Sequence, residues 1–216
     1  MTKLTRLTPW IPPAVHGLAL IPMVVLLGAA TMTIFGALTP LGFVAAAGEL
    51  GDLTLILFSA MLACTPLNIV FGWKWPLRLK RPLGLYTFMY AAIHYLVFVA
   101  GFQFNLGAAL GATAASNMLL FGFLGLALMA PLALTSNKWS MRKLGRKWKR
   151  LHMVTYAVAI FIALHMLFLG QGAITVPLYV LLLGVRIPSI RRKIVTWRQR
   201  RQKRAATRTT EAAVTA

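Results

Sequence analysis

The sequence predicts an all-α fold, an integral membrane bundle of six transmembrane helices with both termini in the cytoplasm, and three observations predict it. Of 216 residues 59% are hydrophobic and only 12% charged, about half the charged share of a soluble domain. The apolar residues fall in six stretches, 14–36, 51–71, 83–102, 117–135, 151–169 and 173–187. Each is close to the roughly 20 residues that cross about 30 Å of hydrocarbon, the last being the shortest. All 23 Lys and Arg lie in segments that share one side if the six helices alternate. The chain has no ten-residue alternating pattern of barrel strands, so helices must satisfy the backbone in lipid.

The elements follow in order. Lys3 and Arg6 precede the first span, which carries His16 near its start; a basic start before an apolar run resembles a signal peptide, but its length and the five spans after it predict that it is retained. The connector 37–50 has no Lys or Arg, and Glu49 and Asp52 sit at or just beyond it. Lys74, Arg78, Lys80 and Arg81 stand between the second and third spans; His94 is in the third. The connector 103–116 again has no basic residue, whereas seven lie between Lys138 and Arg150, before the fifth span with His152 at its start and His165 deeper. Segment 170–172 is uncharged, and ten basic residues run from Arg186 to Arg208 around and after the sixth span. The positive-inside rule places the basic side in the cytoplasm.

All six tryptophans, Trp10, Trp73, Trp75, Trp139, Trp148 and Trp197, fall on that side, where amphipathic rings suit the headgroup layer. Charges in short runs between apolar stretches set topology and do not form a nucleic-acid surface. Residues 1–188 read as the transmembrane domain and 189–216 as a basic juxtamembrane tail. Within the tail, Ile190, Ile194 and Trp197 recur at helical spacing among cations over 189–204, as in an interfacial helix on anionic membrane lipid or a solvated basic tail; 205–216 read as disordered. Pro22, Pro66, Pro131 and Pro177 lie within or near the ends of spans, where neighbouring helices tolerate a kink. The sequence shows no internal repeat.

Chemistry inside the bilayer is left to histidine. Cys64 is the only cysteine, which excludes an intrachain disulfide, a thiolate cluster and covalent haem attachment. The spans hold no Lys or Glu, no Arg except Arg186 at the last helix end, and Asp52 only at a boundary; this poverty argues against an ion-coupled transporter. Rising from the basic side at about 1.5 Å per residue, His94 comes roughly 17 Å in and His165 roughly 21 Å in. Two level imidazoles on different helices can hold a b-type haem without cysteine, or can bridge helices by a hydrogen bond. His152 lies some 20 Å along the axis from His165 and about 140° round the helix, so one iron cannot take both. His152 and His16 share a depth and could flank a second haem, a quinone headgroup or a flavin such as FMN, or each could be an interfacial histidine bonded to backbone or water. No G-x-G-x-x-G is present, so electrons must come from a separate donor.

Four stretches carry a resemblance: AVHGLALIP with His16, ACTPL at the end of the second span, RLKRPLGLYTFMYAAIHYL with His94, and LALTSNKWSMRKLGRKWKRLHMVTYAVAIFIALHMLFL with His152 and His165. In these the chain resembles the MsrQ (YedZ) family, haem-binding membrane subunits of periplasmic methionine sulfoxide reductase systems, within the ferric reductase-like transmembrane superfamily. It departs at GELGDLTL, where the family usually has a Gly-Arg pair. The resemblance implies one or two b-type haems on His94 and His165, with His152 also implicated. It implies an inner-membrane subunit passing electrons from a cytoplasmic flavin reductase or quinol to a periplasmic molybdopterin methionine sulfoxide reductase. The competing expectations are a ferric or quinone-linked reductase subunit with another acceptor, and a cofactor-free permease or assembly factor.

Overall fold

The structure of the protein, a computed structural model, describes the backbone of residues 40–214 and the side chains of 47–202 and Thr207. The first predicted span with His16, and Trp10 before it, lie outside the described residues. The rest is helical: α1 (Pro40–Phe71), α2 (Pro76–Gly101), α3 (Leu106–Ala115), α4 (Asn117–Leu134), α5 (Lys138–Leu144), α6 (Arg146–Leu151), a 3-10 turn (His152–Val154), α7 (Thr155–Phe168), α8 (Gly172–Gly184) and α9 (Pro188–Val214). No strand occurs among the described residues.

Four stretches are long and apolar enough to cross a membrane: Ala47–Phe71, Pro76–Gly101, Asn117–Leu134 and the continuous run Arg146–Phe168. α8 counts as a fifth only together with α9, from which it is bent by 70°. The chain is a multi-pass membrane protein. Two elements differ from the sequence reading. α1 starts at Pro40 rather than 51, because proline loses nothing at the first helical turn and the alanines after it favour helix. The connector expected over 103–116 contains α3, whose first turn is capped by Asn105, the side-chain oxygen accepting from the Ala108 amide at 3.1 Å.

The spanning helices pack as a closed ring, α1 on α2, α2 on α4, α4 on α7, α7 on α8 and α8 back on α1. Its centre is a cluster of Phe58, Met61, Leu62, Ala91, Met129, Val158, Ala159, Tyr179 and Leu182, to which every helix of the ring contributes. The outer face keeps Ile56, Leu96, Ile160, Val180 and Leu181 more than half exposed, the apolar surface that lipid requires.

The basic segments converge at one end of the ring. Arg81 Nε donates to the Ser136 carbonyl at 2.8 Å, tying the start of α2 to the end of α4. α1 closes at Gly72 in the left-handed region (φ 79°), and Arg198 of α9 donates from Nη1 to the last carbonyls there, Asn68 and Ile69, both at 2.9 Å. A cation on a helix C-terminus also favours the dipole. Past 204, where the sequence reading has disorder, the helix continues to Val214. Arg198→Ala is expected to release α9, since hydrogen bonds from a charged donor contribute about 1.5–3 kcal/mol. Limited trypsin digestion of the detergent-solubilised protein should then cut α9 several-fold faster while α1–α8 stay protected.

Candidate functional site

Two histidines face carbonyls on neighbouring helices in the same way. His94 of α2 lies with Nδ1 2.8 Å from the Ala47 carbonyl of α1, and His165 of α7 with Nδ1 2.7 Å from the Met118 carbonyl of α4. A carbonyl only accepts, so each Nδ1 carries the proton and the neutral ring keeps its lone pair on Nε2. No hydrogen bond engages either Nε2 among the described residues. Both rings are half-buried.

Each ring also rests on a glycine one helical turn beyond its carbonyl. A methyl group at Gly51 would stand 3.3 Å from His94 Cε1, and at Gly122 it would stand 2.9 Å from His165 Nδ1 and 3.0 Å from Cε1. The arrangement repeats: carbonyls 47 and 118, glycines 51 and 122 and histidines 94 and 165 are each 71 residues apart. The internal repeat that the sequence does not display is thus present in the placement of three positions on two helix pairs. The two halves adjoin, because Tyr95, next to His94, packs on Phe123, next to Gly122, with ring centroids 5.3 Å apart. The glycines were missed in the sequence reading; the shared spacing from Gly51 to His94 and from Gly122 to His165 is the signal, hidden among 17 glycines.

The repeat breaks at the basic end. The position 71 residues before His152 is Arg81, and the two side chains meet at one residue: Arg81 holds the Ser136 carbonyl while His152 Nε2 lies 3.3 Å from Ser136 Oγ. His152 Nδ1 donates to the Trp148 carbonyl at 3.2 Å, and its ring stacks on the Trp148 indole at 3.9 Å between centroids. Both nitrogens of His152 are therefore engaged, unlike those of His94 and His165. Trp148 donates its own Nε1–H to the Thr135 carbonyl at 2.9 Å, so it builds this corner, whereas Trp73, Trp75, Trp139 and Trp197 are exposed as membrane anchors would be.

His152 lines a cavity of about 480 Å³ with an inner wall of Phe58, Met61 and Met129 and cations Lys80, Arg81, Lys149 and Arg186 around it. Arg186 donates to the Leu62 carbonyl and lies over the Tyr156 ring, 5.8 Å from its centroid; its Nε is buried without a partner among the described residues. The cavity joins an apolar interior to a positive rim, which suits an anionic or amphipathic molecule.

Among the described residues no three His, Cys, Asp or Glu side chains gather into a metal cage. A haem requires none, since the porphyrin supplies four nitrogens and the protein only axial ligands. Two neutral imidazoles with oriented rings and open Nε2 atoms are the donor set such a group takes.

The pattern of the ferric reductase-like transmembrane component family matches residues 50–163. Among curated proteins, the protein-methionine-sulfoxide reductase heme-binding subunit MsrQ of Deinococcus radiodurans is 37% identical over 157 residues, 72% of this chain and 76% of that one. The MsrQ of Rhodospirillum rubrum is 35% identical over 153 residues, 67% of this chain and 74% of that one. The magnetosome protein MamZ of Paramagnetospirillum magneticum is 34% identical over 170 residues, but these are only 26% of its length. No solved structure gives a significant match. Matched over more than half of its length, a stretch that takes in His94 and His152, the chain belongs to the ferric reductase-like transmembrane family, alongside the MsrQ subunits.

Proposed function

We propose that this chain is a haem b electron-transfer subunit of the inner membrane, with His94 and His165 as axial ligands, serving a methionine sulfoxide reductase as the names of its MsrQ relatives say they do. The observation that carries the reading is the paired orientation of the two rings: each Nδ1–H is spent on a backbone carbonyl, leaving each Nε2 to iron. A haem held there supplies a one-electron couple. The chain's own contribution is to fix the tautomer and to raise the basicity of the ligating nitrogens through the carbonyl bonds.

The topology belongs to the same proposal. Six spans, the first lying before the described residues, put both termini and every Lys and Arg in the cytoplasm. Electrons would enter on that side, from a flavin reductase or quinol, at the cavity beside His152, where Lys80, Arg81 and Arg186 would hold FMN or a quinone headgroup; His16 of the first span is assigned to this side as well. They leave on the opposite side to a periplasmic molybdopterin reductase. His152 orients the cavity wall through Trp148 and Ser136.

A reduced-minus-oxidised absorption spectrum of the purified protein tests the core of this reading. The expected result is the sharp α-band of a low-spin b-type haem with two imidazole ligands after dithionite. A protein prepared with haem supplied in excess that has no Soret band is a cofactor-free permease or assembly factor, and the proposal falls.

A further inference from the structure

Resting on the reading of His94 and His165 as haem ligands, we propose that Gly51 and Gly122 are positioning residues. Each would let an imidazole lie against the neighbouring helix backbone and so set both the retention and the reduction potential of the haem. Four observations carry this. Each histidine donates to a carbonyl inside a helix, Ala47 in α1 and Met118 in α4. The regular helical partner of that carbonyl is the amide four residues on, which is Gly51 in one case and Gly122 in the other. The carbonyl is therefore shared between the helix and the imidazole, and a side chain on the residue supplying that amide would rise toward the ring. The room available confirms the closeness: a Cβ at Gly122 falls at 2.9 Å from His165 Nδ1, and at Gly51 at 3.3 Å from His94 Cε1.

The 71-residue correspondence makes a chance packing contact a poor explanation. Carbonyl, glycine and ligand recur together on two helix pairs whose sequences otherwise diverge. Gly125, one turn further along the same helix as Gly122, provides the contrast: a Cβ there meets Ile162 Cγ1 at 3.6 Å, an ordinary contact. The seat is specific to the glycine under the ring, and it differs in tightness between the halves. A Cβ at Gly122 would fall under 3.0 Å from His165 Nδ1, so that ring must shift, whereas His94 must give by only a few tenths of an ångström.

The consequence is graded. In Gly122→Ala the ring must leave its carbonyl or tilt. Loss of an outer-shell partner of a metal-bound histidine costs about 10–100-fold in metal affinity, and haem retention should fall by that order. Losing the Nδ1–H bond also makes Nε2 a weaker base, which favours the ferrous state, so the midpoint potential of any haem retained should rise. Gly51→Ala should keep its haem with a smaller upward shift in potential and altered low-spin electron paramagnetic resonance g-values. Gly125→Ala should match the parent in all three readouts.

The experiment is haem content per chain, redox titration and electron paramagnetic resonance of the full-length protein in detergent for these three variants beside the parent. If Gly122→Ala does not fold, Gly51→Ala decides, because its contact is mild. The proposal is overturned if Gly51→Ala and Gly122→Ala both keep the parent's content, potential and g-values, if Gly51→Ala shifts while a folded Gly122→Ala does not, or if Gly125→Ala shifts as far as Gly122→Ala. The underlying ligand reading fails separately, when His94→Ala and His165→Ala retain full haem whatever the glycine variants do.

Discussion

His94→Ala and His165→Ala are each expected to strip the purified chain of haem, a larger loss than the roughly 10–100-fold that removing an outer-shell partner costs. Each substitution would remove one of the two proposed ligand nitrogens and leave the other half-site unchanged, since the Ala47 and Met118 carbonyls belong to different helices. No cluster of His, Cys, Asp or Glu stands ready to replace the ligand among the described residues. Adding free imidazole during haem loading should restore part of the low-spin spectrum in either variant, because the hole left by the ring has its shape. His152→Ala is the comparison to run alongside: it leaves both ligands and both glycine seats untouched, so haem held between them stays. Full haem content in His94→Ala and His165→Ala would end the assignment.

Phe58→Ala is expected to cause the largest loss of stability of any single truncation in the described bundle, about 3–5 kcal/mol. Phe58 is 1% exposed and sits where α1, α7 and α8 meet, in tilted contact with Tyr179 at 5.8 Å between centroids. Truncating the ring enlarges the cavity that Phe58 already lines and removes its packing against Tyr179. Ile56→Ala, two residues away but 62% exposed to the outer face, should change stability by no more than about 0.5 kcal/mol. Heating the detergent-solubilised proteins and following the folded fraction by size-exclusion chromatography compares the two. Equal losses would mean that the ring of helices is not closed as described.

Much of this architecture was legible in the residues. Hydropathy gave spans near 51–71, 83–102, 117–135 and 151–169, and the structure has apolar helices at all four, because the burial of backbone polar groups in lipid leaves helix as the only local solution. Ends were less legible. The alanine-rich start of α1 and the whole of α3 were read as connectors, since a short apolar helix capped by one asparagine looks like a loop when only charge and span length are counted. Rise per residue puts His94 and His165 at similar depths as an expectation of the sequence; the carbonyl each ring meets is a matter of packing.

By itself, then, the sequence determined a helical membrane bundle with its cations in a few connectors and left histidine as the candidate for chemistry within it, because hydropathy and charge placement are local quantities that one chain carries in order. Tertiary structure alone decided which helix each ring leans on, which nitrogen is tied, and that glycines 71 residues apart each lie against a histidine ring. It also separated His152 from the other two by engaging both of its nitrogens. Those facts depend on distances between helices far apart in the chain, where a single methyl group at 2.9 Å from a ring matters and the matching 71-residue spacing is hidden among 17 glycines.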